Sequence, residues 1–355
     1  MSAIGEAINK HYEAAEREKL PRGHLGASGL GKPCMREIWY AHRWAQTNIF
    51  DGRMLRLFQR GHREEPFIFD DLRAIGVQIF DVDEAGKQYG IKPAAKGHMR
   101  GSIDAVAIGL PGAPDPDEPV LLDIKTTTEK KLARIEKYGF EVECQTYYGQ
   151  GTLYMGGLDL KRACFLFVAK DTDRIHEEWF DFNPDYHATL IEKAERIIAS
   201  ESPPAKAWDS PHDFGCKWCD YKWLCHERGD TATVTCRSCI HATPVEDGEW
   251  HCAAWDRLLT REEQWQACDS HIFIPQLVTF GVPKLSGGNP TDHDCWIEYQ
   301  KVDGARFRNV VRDANGSKIA GHYSSRELTA GWEYVGDTGL DLLRETFDAE
   351  IVPDA

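Results

Sequence analysis

The pattern of apolar and polar positions predicts several amphipathic helices in the first two thirds of the chain. Apolar residues recur at helical spacing through residues 3–19, MREIWYAHRWA and MLRLFQRGHREEPFIFDDLRAIG. Pro66 lies inside the third pattern, so we expect a kink or a helix start there. Two further helices are predicted over VECQTYYGQGTLYMGGL, which ends at a glycine pair, and over NPDYHATLIEKAERIIASE.

Extended segments alternate with these helices. They are VQIFDV, GHMRGSIDAVAIGL, PVLLDIKTT, RACFLFVAKD and RIHEEWFDF. The connector PGAPDPDEP is rich in turn-forming residues and predicts a loop between two adjacent strands. The run VLLDIK is short and apolar, which is typical of a strand buried on both faces. The whole pattern predicts an α/β fold in which helices flank a mixed central β-sheet.

The composition changes sharply after the segment SPPAKAWDSP. Eight of the eleven cysteines lie between positions 216 and 295, and only short strand-like pieces such as CWIEYQKV and FRNVVRD follow. We therefore predict two domains, an α/β domain at 1–230 and a small Cys-rich, metal-binding domain at 231–355.

Overall composition excludes several classes of protein. Of 355 residues, 42% are hydrophobic, and no apolar run approaches the length of a membrane span. The charged N-terminal helix has no apolar signal core, so we expect a cytoplasmic protein with reduced thiols and no membrane partner. The net charge of −15 argues against a protein that coats nucleic acid.

Acidic residues and a lysine follow one another in the order that a metal-dependent nuclease needs. Glu65 lies on a predicted helix, Asp104 on a predicted strand, and Asp123 and Lys125 on the next strand. Residues two apart in a strand share a face, so Asp123 and Lys125 enter one pocket, which Asp104 can join. Carboxylate oxygens in that arrangement suit Mg²⁺ or Mn²⁺. The alternative is a simple strand end, although burying such a pair without a partner is costly.

These residues resemble the motifs of the PD-(D/E)XK nuclease superfamily. GSIDAVAI and VLLDIKTT are similar to its core motif, with the acidic-x-Lys element at Asp123 and Lys125. Gln150 and Tyr154 resemble the Gln-x-x-x-Tyr helix motif of RecB-type and lambda-type exonucleases. The segment from Gly61 to Pro66 resembles the first motif of viral recombination exonucleases.

The resemblance leaves alternatives at two motifs. Many RecB-like relatives carry histidine where this chain has Glu65, which leaves His62 as a possible participant. Gln145 and Tyr148 are alternatives to Gln150 and Tyr154 as the residues of the Gln-x-x-x-Tyr helix motif.

The resemblance implies a metal-dependent DNA exonuclease in recombination or repair of viral DNA, working with a helicase or recombinase partner. The implied site residues are Glu65, Asp104, Asp123 and the carbonyl of Ile124 as ligands of one or two metal ions, Lys125 as an aid to the attacking water, and Gln150 and Tyr154 as positioning residues. One rival is a structure-specific endonuclease or a nuclease of CRISPR adaptation. Another is a zinc-ribbon adaptor that binds nucleic acid or protein and has an inactive nuclease core.

One set of cysteines combines a distant residue with a short loop. Cys216, Cys219 and Cys225 are close in sequence, and Cys34 is the one cysteine near the N-terminus. The segment SGLGKPCMREIWY is similar to an element of iron–sulfur RecB-like nucleases, with Met35 in place of the usual proline. In AddB-like enzymes, one upstream and three downstream cysteines hold a 4Fe–4S cluster. The resemblance therefore implies such a cluster here, with a structural role.

A second set of cysteines has the spacing of a zinc site: Cys236-x2-Cys239-x12-Cys252-x15-Cys268. The alternative ligands in this region are His241, His251 and His271. A different partition is also open, because Cys216, Cys219, Cys236 and Cys239 fit a zinc ribbon. That partition leaves the other four cysteines of the two sets unexplained.

Basic residues also allow two interpretations. Six arginines recur at helical spacings and would line a DNA-entry face or form an ordinary charged helix surface; they are Arg36, Arg43, Arg53, Arg56, Arg60 and Arg63. Lys170 follows a predicted strand, where it is either a phosphate contact or a solvated strand end. The sequence does not decide between these interpretations.

Overall fold

The chain forms two compact units in the computed structural model, which describes residues 2–47, 50–226, 231–311, 318–347 and 351. The first unit comprises Met1–Lys19, His24–Pro33 and Ile49–Glu195. The second comprises Leu20–Gly23, Cys34–Asn48 and Arg196–Ala355. The boundary predicted near residue 230 falls inside the second unit, which also takes in residues 196–230.

The helices follow the predicted amphipathic segments. In chain order they are α1 (Ala3–Arg17), α2 (Ala27–Leu30), α3 (Met35–His42), α4 (Gly52–Ala74), α5 (Glu129–Tyr138), α6 (Phe140–Glu143), α7 (Gln145–Leu158), α8 (Pro184–Ala199), α9 (Lys222–His226), α10 (Arg261–Gln266), α11 (Ser325–Ala330) and α12 (Thr338–Phe347).

The strands are short except in the central sheet. In chain order they are β1 (Leu25–Gly26), β2 (Gln78–Phe80), β3 (Met99–Arg100), β4 (Ala105–Ile108), β5 (Val120–Thr127), β6 (Arg162–Ala169), β7 (Ile175–Asp181), β8 (Ala242–Pro244), β9 (Trp250–Cys252), β10 (Arg257–Leu258), β11 (Val282–Gly287), β12 (Trp296–Gln300), β13 (Arg306–Val310) and β14 (His322–Tyr323).

The first unit is built on a mixed five-stranded sheet of order β2-β4-β5-β6-β7. Strands β5 and β6 are parallel, and the other neighbouring pairs are antiparallel. Strand β5 is central, and its first five residues are buried. The predicted mixed sheet with flanking helices and a doubly buried VLLDIK strand is therefore confirmed.

Helix α4 packs its apolar stripe against this sheet. Ile68 and Phe69 of α4 join one buried cluster with Leu122 and Ile124 of β5. Asp51 caps the start of this helix, since its carboxylate accepts a hydrogen bond from the backbone N–H of Met54 at 2.7 Å. Leu122 and Ile124 therefore fix one face of β5 in this core, and the alternate residues of the strand point to its opposite face.

One local prediction is wrong, because Asp104 lies just before β4, which begins at Ala105. Of the two expectations at Pro66, the helix start is excluded, since Pro66 lies inside helix α4. Helix α7 ends at Leu158, directly after its glycine pair as predicted, and Asp159 follows in the left-handed conformation.

The second unit holds two small sheets. Strands β8, β9 and β10 form one, and β11 to β14 form the other in chain order. A buried cluster beside the first sheet contains Cys236, Trp250 and Cys252. Among the helices of the described residues, none combines the length and apolar character needed to cross a lipid bilayer.

Candidate active site and cysteine clusters

Asp123 and Lys125 are placed together by the alternation of strand β5. Leu122 and Ile124 enter the core cluster, so Asp123 and Lys125 share the other face. The Asp123 side chain is completely buried, and its Oδ1 forms an ion pair with the Lys125 ammonium. Oδ2 of the same carboxylate has no hydrogen-bond partner among the described residues. A buried carboxylate with one unpartnered oxygen is costly unless something else binds there.

The pairing of β4 with β5 places Asp104 next to Asp123. Ala105 pairs with Leu122 in this antiparallel ladder, which brings Asp104 beside Asp123. The Asp104 Oδ2 accepts a hydrogen bond from the backbone N–H of Ile124 at 2.9 Å. This bond fixes the Asp104 carboxylate next to the peptide whose carbonyl is the predicted additional metal ligand.

Glu65 reaches the constellation from helix α4. Burial and then the Asp104 carboxylate raise the pKa of Glu65, while His62 and Lys125 oppose the shift. The His62 Nδ1 lies 3.6 Å from the Glu65 Oε1, so the alternative participant is a neighbour of Glu65. All four predicted charged residues therefore interact with one another.

The electrostatics of the site show an excess of negative charge. The pKa of Asp123 is raised to about 7, because burial, with smaller contributions from the Asp104 and Glu65 carboxylates, outweighs the opposing effect of Lys125. Burial also disfavours the charged form of Lys125, but the Asp123 and Asp104 carboxylates outweigh burial and raise the pKa of the ammonium. A divalent cation is the natural complement of such a group.

The donor set fits Mg²⁺ or Mn²⁺ better than a metal that needs a protein-only cage. In the described part of the chain, the side chains as placed form no group of three or more His, Cys, Asp or Glu that could hold a metal ion. Mg²⁺, however, takes one or two carboxylates and completes its octahedron with waters and substrate oxygens. The open oxygen of Asp123 and the adjacent Asp104 carboxylate meet that smaller requirement.

Gln150 and Tyr154 are buried side chains of helix α7 that lie close to the segment before Asp104. The Gln150 amide donates a hydrogen bond to the Tyr154 hydroxyl at 3.0 Å, and both side chains are buried. A Cβ on Gly101 would lie 2.5 Å from the Tyr154 ring, so that ring packs against the chain just before Asp104. Burial raises the pKa of Tyr154 to about 12, against the opposing hydrogen bond from Gln150. The pair is therefore held in the packed interior, next to the segment that leads to Asp104.

The competing helix residues lie elsewhere. Gln145 is exposed at the start of α7. Tyr148 stacks on Tyr186 with ring centroids 5.2 Å apart and packs against Phe180 at 5.0 Å. Tyr148 therefore belongs to an aromatic cluster of the first unit.

Tyr147 also belongs to the site, although the sequence motifs do not include it. The Lys125 ammonium lies 5.1 Å from the centroid of the Tyr147 ring and 5.7 Å from that of Phe165. Tyr147 in turn stacks on Phe165. The signal was available, because Tyr147, Gln150 and Tyr154 are spaced by three and four residues and share one face of α7.

The four cysteines of the first set line one cavity of the second unit. Cys34, Cys216, Cys219 and Cys225 share its wall, and the Cys216 sulfur lies 3.4 Å from the His226 Nε2. Burial raises the pKa of the Cys216 thiol, and the Cys225 and Cys34 thiols add to the shift. The structure thus brings the N-terminal cysteine to the loop of three.

The thiols of the second set also lie near one another, since Cys236 and Cys252 belong to one buried cluster. Burial raises the pKa of Cys236 to about 12, with Cys268 and Cys252 contributing. Burial raises the pKa of Cys239 as well, and Cys236 and Cys268 add to that shift.

The histidines offered as alternative ligands differ in their surroundings. His271 lies 3.0 Å from the Thr235 carbonyl, and His251 lies 3.3 Å from Asp256. His241 is buried. Among the described residues, the thiols that contribute to one another's pKa shifts belong in each case to the same predicted set of four.

Comparison with known proteins gives distant likenesses. The sequence matches no family model. The crystal structure of SSO0001 is similar with a TM-score of 0.38 and 16% identity, over 63% of this chain and 96% of that one. The alkaline exonuclease LHK-Exo from Laribacter hongkongensis, alone and in complex with dAMP, is similar with a TM-score of 0.36 and 15% identity, over 54% of this chain and 91% of that one. These likenesses are too distant to assign the chain to a family.

Proposed function

We propose that this chain is a metal-dependent nuclease that hydrolyses phosphodiester bonds of DNA. One observation carries the proposal: the fully buried Asp123 carboxylate, with one oxygen on the Lys125 ammonium and the other unpartnered, beside Asp104. Folding alone gains nothing from burying a cluster of like charges. Such a cluster is instead typical of sites selected for chemistry.

The site residues divide into ligands and positioning groups. Asp123, Asp104, Glu65 and the Ile124 carbonyl would hold Mg²⁺ or Mn²⁺. When bound, the metal supplies a water of lowered pKa and neutralises phosphate charge.

Lys125 contributes a positive charge to the constellation. Its ammonium is held between the Asp123 carboxylate and the Tyr147 ring. A positive charge fixed in a site largely shielded from water stabilises negative charge that develops on the phosphate. Gln150 and Tyr154 support the segment that leads to Asp104.

The finer proposal is an exonuclease of recombination or repair, acting on viral DNA. It is supported by the resemblance of the Gly61–Pro66 segment to viral recombination exonucleases and by the contribution of that helix to the site, where Glu65 interacts with Asp104. A helicase or recombinase partner remains a prediction. The intact acidic and lysine residues disfavour an adaptor with an inactive core.

We also propose that the two cysteine sets bind metals with structural roles. Four thiols around one cavity are the donor set of a 4Fe–4S cluster, which would join Cys34 to the loop of Cys216, Cys219 and Cys225. The set of Cys236, Cys239, Cys252 and Cys268 suits tetrahedral Zn²⁺. Neither set forms a group of three or more that could hold a metal as the described side chains stand, so metal binding requires them to close further.

The test of the nuclease proposal uses end-labelled linear duplex DNA and covalently closed circular DNA, with Mg²⁺, Mn²⁺ or EDTA. We expect metal-dependent cleavage of the linear DNA by the wild type. Lys125→Met, which removes the charge and keeps the chain length, is expected to lower the rate by about 100-fold or more. An exonuclease leaves the circle intact, whereas cleavage of the circle selects the endonuclease alternative. Failure of the folded wild type to cut either DNA with either metal would exclude the proposal.

A further inference from the structure

Arg60 and Lys170 lie together beside the strand that carries the candidate active site. The Arg60 guanidinium donates a hydrogen bond to the Lys170 carbonyl at 3.1 Å. The Lys170 backbone N–H donates to the carbonyl of Thr127 at 3.1 Å. A Cβ on Gly61 would lie 3.7 Å from the Thr126 hydroxyl. Both basic residues are therefore anchored where β5 continues past Lys125.

This pair of cations forms no ion pair with an acidic side chain in the described part of the chain. Burial and the nearby Arg60 charge lower the pKa of Lys170, against an opposing contribution from the Asp171 carboxylate. Asp171, next in sequence, accepts a hydrogen bond from the backbone N–H of Glu129 at 2.9 Å and so caps the start of α5. In the part of the chain that the structure describes, neither Arg60 nor Lys170 forms an ion pair with an Asp or Glu. Two adjacent like charges disfavour each other unless an anion lies between or beside them.

The same basic character continues along helix α4. Arg56, Arg60 and Arg63 are spaced by four and three residues, so they share one face, and all three are exposed. Among the described residues, Arg56 donates a hydrogen bond to the neutral Asn9 amide oxygen, at 3.4 Å. Arg73, farther along the helix, differs because Asp70 and Asp81 neutralise it.

The structure also separates these arginines from two others with similar spacing. Arg43 is buried in the second unit and donates to the carbonyl of Ala242 at 3.0 Å. Arg36 donates to the carbonyl of Pro204 at 2.6 Å. Neither is free to line a nucleic-acid surface, so the basic face consists of the α4 residues.

We infer that Arg60 and Lys170 form a binding site for one backbone phosphate of the nucleic-acid strand, next to the phosphate that is cleaved, with Arg56 and Arg63 extending the contact along the strand. The inference rests on the proposed nuclease function. Phosphate is the anion that matches this pair, because a guanidinium binds phosphate oxygens in a planar fork and an ammonium adds a point charge. Lys170 is thus a phosphate contact rather than a solvated strand end.

The test is the salt dependence of DNA binding, measured in EDTA so that no cleavage occurs. A fluorescein-labelled duplex is titrated with wild type, with Arg60→Gln/Lys170→Gln and with the matched control Arg73→Gln, at several KCl concentrations. We expect the double variant to bind more weakly at low salt, and the slope of log affinity against log salt to fall by about 0.9, the value for one duplex phosphate. The control should keep the wild-type slope.

Two outcomes would overturn the inference. One is a wild-type slope and affinity in the double variant; the other is an equal loss in Arg73→Gln, which would indicate a diffuse effect of charge. Because both altered side chains contact solvent, folding should be unaffected, and the two single variants provide the same test if the double variant unfolds. The nuclease proposal fails separately: wild type that never cuts DNA excludes the function, whereas wild type that cuts with an unchanged variant slope excludes the phosphate site alone.

Discussion

At the scale of single residues, the Asp123 carboxylate shows that the site is built at the expense of stability. Its pKa lies above the ordinary value of 3.8, at about 7, because burial and then two neighbouring carboxylates outweigh Lys125. The folded state therefore prefers the protonated acid. Stability is lost as pH rises from the ordinary value through about 7, the reverse of the usual aspartate.

Asp123→Asn should stabilise the metal-free protein. In EDTA above a pH of about 7, we expect the free energy of unfolding to rise by about 1 to 3 kcal/mol, because the buried charge is removed. The gain should vanish in acid, where the wild-type carboxyl is already neutral. Denaturant unfolding at both pH values measures this, and the exposed Asp181→Asn is the control, expected to change stability by less than about 0.5 kcal/mol. A clear loss of stability in Asp123→Asn would contradict this interpretation.

Tyr147 should act on catalysis through Lys125. Its ring faces the ammonium at 5.1 Å, so Tyr147→Leu removes a cation–π contact worth about 0.5 to 2 kcal/mol. We expect kcat to fall about 3- to 30-fold while KM changes little, whereas Tyr147→Phe keeps the ring and most of the rate. Equal losses in both variants would show that the hydroxyl, not the ring face, is what matters.

The sequence predicts some of these residues better than others. Strand alternation is a rule of period two, so Asp123 and Lys125 could be assigned to one face of a strand. The same rule could not place Asp104, because this residue lies one position before the start of β4. The helical spacing of Tyr147, Gln150 and Tyr154 places them on one face, but the contact of Tyr147 with Lys125 joins segments more than twenty positions apart, which no local spacing predicts.

At the scale of elements, the Gln150 and Tyr154 pair depends on close packing between helix α7 and the chain before β4. Gly101 is needed there because Tyr154 occupies the space that a side chain would take. Helix α2 also approaches, since Ala27 Cβ would lie 3.2 Å from the added carbon. These contacts are between distant segments, so no sequence pattern predicts them, whereas the helices themselves were visible from periodicity.

Gly101→Ala should therefore destabilise the protein by about 1 to 3 kcal/mol through overpacking. We also expect slower DNA cleavage, because Tyr154 must shift beneath Asp104. Gly29→Ala is the matched control, since no atom of the described residues outside its own helix turn lies within 4 Å of the added Cβ. Thermal unfolding of both variants gives the comparison, and equal midpoints would show that the Tyr154 contact is not tight.

At the scale of the whole molecule, the second unit is assembled from separated parts of the chain. Cys34–Asn48 and Arg196–Ala355 belong to it, although most of the first unit lies between them in sequence. Cys34 and the loop of Cys216 to Cys225 come from these two parts. A boundary near residue 230 was inferred from cysteine density alone, which does not report how distant segments pack together.

Metal analysis should separate the two cysteine sets. We expect anaerobically purified wild type to contain about four irons with matching sulfide and about one zinc. Cys34→Ser should lose iron and keep zinc, Cys236→Ser should do the reverse, and Cys295→Ser, outside both sets, should keep both. A colourless protein with zinc alone, indifferent to Cys34, would favour the zinc-ribbon partition instead.

Cleavage of linear duplex DNA by wild type and Asp123→Asn, with Mn²⁺, tests the central claim most directly. Both proteins should unfold cooperatively, so a difference in rate reports the site and not the fold. We predict metal-dependent cleavage by the wild type and a rate at least about 100-fold lower for the variant. Cleavage by Asp123→Asn at the wild-type rate would contradict the assignment of this constellation as the active site.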